Sequence, residues 1–171
     1  MKIVALPLGY LKANCYILEK NNEVIIIDPA DDYEAIKKQI NNKKIVKVLI
    51  THYHQDHIGA LKYFDKSLIL TNPKEKNYKI SNFEFKIIFT KGHTNDSVTY
   101  YFEKEKCMFT GDFLFKQTVG RTDLPTGSQK EMENSLKKIK DYPDDIIIYP
   151  GHGQETNLKY EKKNNYFLRR L

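Results

Sequence analysis

The stretch THYHQDHIG, residues 51–59, places His52, His54 and His57 together with Asp56 inside six consecutive positions of a chain that has five histidines in all. Neutral imidazoles and a carboxylate are preferred ligands for zinc and other first-row divalent ions, and this spacing lets one loop present several of them to a common point. An isolated loop histidine is more often a surface hydrogen-bonding group. Three of them with an aspartate make that reading hard to sustain. The other two histidines, His93 in KGHTNDS and His152 in YPGHGQE, each follow a glycine, where backbone can turn sharply or pack closely around a ligand. Asp112 lies in FTGDFLF, amid apolar residues, where burying a carboxylate is costly unless it is hydrogen-bonded, paired or bound to metal. A position between two cations satisfies it; so does a capping or turn role after Gly111.

These residues are remote in sequence but share a context. Asp28 follows EVIII, His52 follows VLIT, His93 follows FKIIFTKG, Asp112 follows CMFTG and His152 follows IIIYPG. Loops at strand ends are where a rigid scaffold brings distant side chains together. The elements that would do so are legible. KIVAL, NCYILE and EVIIID read as strands, the last two joined in a hairpin by the turn Asn21-Asn22. A helix capped by Asp31 or Asp32 carries Tyr33, Ile36 and Ile40, and IVKVLIT follows as a buried strand. GALKYF suggests a short helix, SLILT and FEFKIIFT strands, and VTYYFE-KEK-CMFTGD a hairpin. SQKEMENSLKKIK has a Ser128 to Glu131 capping box and one apolar face of Met132, Leu136 and Ile139. DDIIIYP is a last buried strand, and the tail from Asn157 is expected to be helical. Strands with a few interspersed helices indicate a sheet-rich α/β domain covered by helices on its outer faces.

The bulk properties restrict the alternatives. A chain of 171 residues suits one domain, 1–171, able to bury a core without disulfides. Cys15 and Cys107 lie in apolar runs without a CxxC, and are expected to be buried free thiols in a reducing cytoplasm. The N-terminal apolar run is broken by Pro7 and Gly9, too short for a membrane or secretory segment. The net charge of +6 arises from interleaved basic and acidic residues, with no basic stripe of the kind that binds nucleic acid.

HxHxDH followed by GH, GD and GH resembles the metallo-β-lactamase superfamily over essentially the whole chain. The resemblance implies an αββα four-layer sandwich with a dinuclear centre at its edge. It implies that His52, His54 and His93 hold one ion, that Asp56, His57 and His152 hold the other, that Asp112 bridges them, and that Asp28 supports the ligands from behind. Zinc is the expected ion, with iron or manganese as alternatives. GDFLFKQTVGRTDLPTGS and PGHGQETNLKYEKKNNYF are similar to small glyoxalase II-like hydrolases, without the C-terminal helical domain of the full-length enzymes. That similarity implies hydrolysis of a small acyl thiol, such as a hydroxyacyl-glutathione, by a hydroxide held between the ions, with Asp56 and Asp112 as catalytic carboxylates. A persulfide dioxygenase with a single iron, and a metal-binding protein without turnover, are the rival readings. Arg121, in GRTD, is either a fork for a substrate carboxylate or a structural partner of Asp123; Tyr53 is a further candidate substrate contact. Asp96 and Ala30 stand where the family commonly has glycine, and the short segment between His57 and His93 predicts an open cleft.

Overall fold

Strands with apolar residues on both faces can be stable only if both faces are covered, and this chain covers them. The computed structural model describes Met1–Leu171. Strands β1 (Lys2–Leu8), β2 (Ala13–Lys20), β3 (Glu23–Ile27) and β4 (Lys44–Leu49) form one sheet in that order, with helix α1 (Tyr33–Ile40) crossing between the parallel pair β3 and β4. After the short helix α2 (Gln55–Ile58) come β5 (Asn77–Ile80), β6 (Phe83–Phe89), β7 (Val98–Phe102) and β8 (Cys107–Gly111). The hairpin β9 (Leu114–Phe115) and β10 (Thr118–Val119) then leads to α3 (Gln129–Lys140). The chain ends with β11 (Ile147–Pro150), β12 (Thr156–Asn157), α4 (Leu158–Asn164) and α5 (Tyr166–Arg169). The second sheet runs β12-β11-β8-β7-β6-β5, with β8 and β11 parallel.

The two-residue period of each strand sorts its side chains between layers. Tyr16, Leu18, Ile25, Ile27 and Leu49 of the first sheet meet Phe85, Ile87, Tyr100, Phe102 and Phe109 of the second in the central core. Their alternates, Cys15, Ile17, Val24 and Ile26, pack outward under Ile36 and Ile40 of α1. On the far side Met108 and Ile148 pack under Met132, Leu136 and Ile139 of α3, with Leu158 and Leu168. The result is the expected helix, sheet, sheet, helix sandwich. Cys15 and Cys107 are buried free thiols in different layers, and no helix is long and apolar enough to cross a membrane.

Local chemistry explains most boundaries. Asn21 and Asn22 take the left-handed conformation (φ 50° and 62°) that a tight hairpin turn requires. Asp32 caps α1 by accepting from the Ala35 amide. Ser128 caps α3 by accepting from the Glu131 amide, but its own amide donates to the Gly92 carbonyl at 2.8 Å. The second half of the expected capping box is thus replaced by a tie from α3 to the turn before His93. SLILT is not a strand. Lys66–Leu68 form a 3-10 turn, and only Ile69 bridges to Val48, in parallel, with the Leu70 amide donating to the Val48 carbonyl at 2.9 Å. GALKYF holds the expected short helix, of the 3-10 type at Leu61–Tyr63, and an α-helical turn, Gln55–Ile58, lies earlier, within the histidine cluster itself.

Strands β3, β4, β6, β8 and β11 all end at one edge of the sandwich, and two glycines allow the approach there. Gly111 has φ 51°, and a Cβ on it would sit 2.3 Å from Thr51 Oγ1. A Cβ on Gly151 would sit 2.2 Å from Asp112 Oδ1. The central core carries the scaffold. Phe109, fully buried and ringed by Tyr16, Phe102 and Tyr149, is the test position: Phe109→Ala should lower the unfolding free energy by about 3–5 kcal/mol, read from the denaturant midpoint at unchanged slope.

Candidate metal centre

Asp28 is the first residue beyond β3. Its amide donates to the Leu49 carbonyl at 3.0 Å, so the ends of β3 and β4 stay side by side. The residue takes φ 51° and is buried, with both carboxylate oxygens occupied. Oδ1 accepts from the Thr51 amide at 2.7 Å; Oδ2 accepts from Thr51 Oγ1 at 2.6 Å and from His57 Nδ1 at 2.9 Å. Asp28 lies near His52 and His57 in a group that can hold an ion, but its oxygens already serve three donors. These contacts fix the orientation of Thr51 and His57 from behind the histidine cluster.

The acceptors around each imidazole select its tautomer. Thr51 Oγ1 spends its proton on Asp28 and therefore accepts from His52 Nδ1 at 3.1 Å. His93 Nδ1 donates to the Arg121 carbonyl at 2.8 Å, and His152 Nδ1 to the Leu11 carbonyl at 3.0 Å. With His57 held by Asp28, four histidines have Nδ1 tied down and Nε2 turned inward. His54 alone presents Nδ1, 3.0 Å from His93 Nε2.

Two ligand groups result, His52 with His54 and His93, and Asp56 with His57 and His152; within each, the ligand atoms all lie within 4.8 Å of one another. Asp112 faces both. Its Oδ2 is 3.6 Å from His93 Nε2 and 3.6 Å from His152 Nε2, and its Oδ1 is 3.3 Å from His57 Nε2. Asp56 Oδ2 is 3.1 Å from His152 Nε2, and these two side chains, 26% and 27% exposed, leave the centre reachable from solvent.

Whether a divalent ion fits is answered by the polar atoms left over. His52 Nε2, His57 Nε2 and Asp112 Oδ1 are buried without a hydrogen-bond partner. His57 Nε2 and Asp112 Oδ1 face each other at 3.3 Å as an ion pair without a hydrogen bond of good geometry, and a buried polar atom left unsatisfied, as His52 Nε2 is, costs roughly 1–3 kcal/mol. A cation supplies what they lack. Burial, reinforced by His57, holds His52 down to about 2, so that its imidazole is neutral and ready to ligate. Burial acts the same way on His57, but Asp112 and Asp28 on either side overcome it and raise that group to about 10. Burial pushes Asp112 up, but His57 and the surrounding imidazoles bring it down to about 2, so it is ionised. In the metal-free chain a proton on His57 thus stands where a cation would go.

The comparisons with known proteins decide the family. The family model of the Metallo-beta-lactamase superfamily matches residues 8–82 and 73–152. The chain belongs to that superfamily. The hydroxyacylglutathione hydrolase GloC of Haemophilus influenzae is 30% identical over 98% of each chain. Among solved structures, the BLEG-1 B3 metallo-beta-lactamase superposes with a TM-score of 0.90 at 30% identity, over 98% of this chain and 99% of that one. TTHA1623 in a di-iron-bound form superposes with a TM-score of 0.86 at 27% identity, over 96% and 100%.

Not every residue singled out from sequence reaches the centre. The Arg121 guanidinium is exposed and paired bidentately with Asp123, Nε to Oδ1 and Nη2 to Oδ2 at 2.7 Å each. The pairing with Asp123 is one of the two arrangements its sequence leaves open, and the Arg121 carbonyl accepts from His93 Nδ1 at 2.8 Å. Tyr53 is 49% exposed and lines a cavity of about 520 Å³ whose walls include Phe89 and Asp96 but none of the ligands. Neither Ala30 nor Asp96 has positive φ, so the absence of glycine strains nothing, and Asp96 Oδ2 accepts from the Tyr53 amide at 3.3 Å.

Three contributors were missed. Thr51 links Asp28 to His52. The Leu11 carbonyl orients His152, and nothing in the sequence marks it. Asn14 reaches across to the loop of His152, its amide donating to the Gly151 carbonyl at 2.7 Å and its side chain to the carbonyls of Pro150 and Gly153 at 3.0 and 2.9 Å. A lone asparagine in the apolar strand ANCYILE was the available signal.

Two outcomes follow from this geometry. Asp28→Asn should weaken metal affinity about 10- to 100-fold, measured by competition with a chelating dye. Because His57 is protonated at neutral pH, binding of a divalent ion should release its proton, and affinity should rise as pH rises toward 10. Calorimetry in buffers of different ionisation enthalpy checks this; heats independent of buffer would contradict it.

Proposed function

We propose that the chain is a dinuclear metal-dependent hydrolase that cleaves a small acyl thioester of the hydroxyacyl-glutathione type. The observation that carries this reading is the Asp112 carboxylate, whose two oxygens face both ligand groups while one of them and two imidazole nitrogens are buried without partners. Similarity to a hydroxyacylglutathione hydrolase over nearly the full length supports the substrate class.

His52, His54 and His93 would hold one ion and Asp56, His57 and His152 the other, with Asp112 between them. Zinc suits the nitrogen-rich set, and iron or manganese can also occupy it. Divalent cations held there would supply a bound water of lowered pKa and a Lewis acid for a carbonyl oxygen. The chain's own residues supply orientation. Asp28 and Thr51 hold His57 and His52 in the ligating tautomer. The carbonyls of Arg121 and Leu11 do the same for His93 and His152. Asp112 and Asp56 keep negative charge at the centre, offsetting the positive charge of the ions so that a nucleophilic oxygen can approach and leave.

A persulfide dioxygenase with a single iron would need only part of this set. The grouping of Asp56, His57 and His152 around a second point favours two ions. Elemental analysis of protein from metal-replete cells, paired with S-lactoylglutathione hydrolysis, tests the choice. About two ions per chain with turnover is expected, whereas one iron with oxygen consumption on a persulfide would replace the hydrolase reading. Asp112→Ala should reduce activity by more than 10²-fold and lower the metal content; near-normal values of both would remove its bridging role.

A further inference from the structure

Glu161 of α4 is fully buried, and all of its partners are neutral hydrogen-bond donors. A carboxylate so placed is tolerable only when its lone pairs are filled. Oε1 accepts from Thr156 Oγ1 at 2.7 Å, and Oε2 accepts from the Gln117 amide at 2.8 Å and from Asn165 Nδ2 at 2.9 Å. The donors come from three separate segments: β12, the turn of the β9–β10 hairpin, and the junction of α4 with α5.

Two of those segments lead to the metal centre. Thr156 of β12 pairs with Ile148 of β11, so it closes the base of the loop that carries His152. The hairpin begins two residues after Asp112. Its turn is held at both ends, because Asn165 Nδ2 also donates to the Thr118 carbonyl at 3.1 Å. At its base, Thr110 Oγ1 donates to the Leu114 carbonyl at 2.8 Å and the Gly120 amide to the Phe113 carbonyl at 3.4 Å, on either side of Asp112. The Phe115 ring of the hairpin lies 6.3 Å from the His152 ring, centroid to centroid, and the Gly151 amide donates to the Gly111 carbonyl at 2.8 Å. His152 Nε2 and Asp112 Oδ2, 3.6 Å apart, thus belong to two segments that a single carboxylate joins.

The other ligand group is held by different contacts. Asp28 orients His52 through Thr51. The turn before His93 is tied to α3 by the Ser128 amide on the Gly92 carbonyl at 2.8 Å and by Ser135 Oγ on the Lys91 carbonyl at 2.7 Å. We propose that Glu161 is a positioning residue of the metal centre: its hydrogen bonds hold His152 against Asp112, and so set the affinity of Asp56, His57 and His152 for their ion without affecting the group of His52, His54 and His93. The role rests on accepting hydrogen bonds and not on charge. A glutamine can fill it, its carbonyl accepting from the Gln117 amide and Asn165 Nδ2 while its amide donates to Thr156 Oγ1. The ion-affinity part of this inference rests on the two-ion reading above; the loop-holding part rests on the hydrogen bonds alone.

The metal-free full chain is titrated with Co²⁺, the binding steps being read from visible absorbance, and hydrogen exchange at the Gly151 amide is measured before metal is added. Thr156→Val removes one donor and almost no volume. It should weaken one of two Co²⁺ ions about tenfold while leaving the other within a factor of about two, and it should speed exchange at Gly151. Glu161→Ala should act in the same direction and more strongly, whereas Glu161→Gln and Thr156→Ser should restore the wild-type values. Equal weakening of both ions in Thr156→Val, or of neither, would overturn the positioning role. So would a Glu161→Gln variant as impaired as Glu161→Ala, because the charge would then be the cause. A wild type that binds a single Co²⁺ would instead remove the two-ion reading; the loop-holding part would then stand or fall on Gly151, and unchanged exchange there in Thr156→Val would overturn it.

Discussion

The Asp28 carboxylate is the contact on which the rest of the centre depends. It is buried, it accepts three hydrogen bonds, and the donors come from the end of β4 and from α2. Its amide is tied to the last residue of β4, so the register between two parallel strands determines where His57 points. A buried charge is tolerable only when its lone pairs are filled, and filling these also specifies the proton positions on two imidazoles. The left-handed backbone at Asp28 turns the chain out of β3 at this point, and an aspartate tolerates that conformation better than most residues.

The second constraint is that both sheets end at the same edge. Tyr100 of β7 donates its hydroxyl to the Ile50 carbonyl at 2.7 Å, and Tyr16 of β2 donates to the Pro150 carbonyl at 2.6 Å. Each joins one sheet to the ligand-bearing loop of the other. These tyrosines have buried rings in the central core and polar ends in the site, so core packing and site geometry are continuous. The loop of His152 is held from the first sheet by Asn14 and followed by a strand stapled through Glu161, which also holds the β9–β10 hairpin.

Much of this was legible in the residues themselves. The strands alternate between two apolar sets, so a double sandwich followed from period and length. The histidine cluster, the two glycine-histidine pairs and Asp112 announced a metal site because no ordinary surface concentrates such groups after successive apolar runs. SLILT, which the sequence suggests as a strand, is short and apolar, and in such a stretch propensity alone does not tell a strand from a turn laid against a sheet edge.

The sequence by itself determined which residue types could ligate and that strands would carry them, because ligand chemistry and apolar periodicity are local properties. Only the tertiary structure decided which nitrogen of each imidazole faces the centre, since that depends on acceptors such as the Leu11 and Arg121 carbonyls that any residue could supply. It also showed what the Arg121 fork meets: of the two partners its sequence left open, the fork lies on Asp123, two residues away. Charge pairing is settled by which side chains meet in space, and sequence distance does not report that.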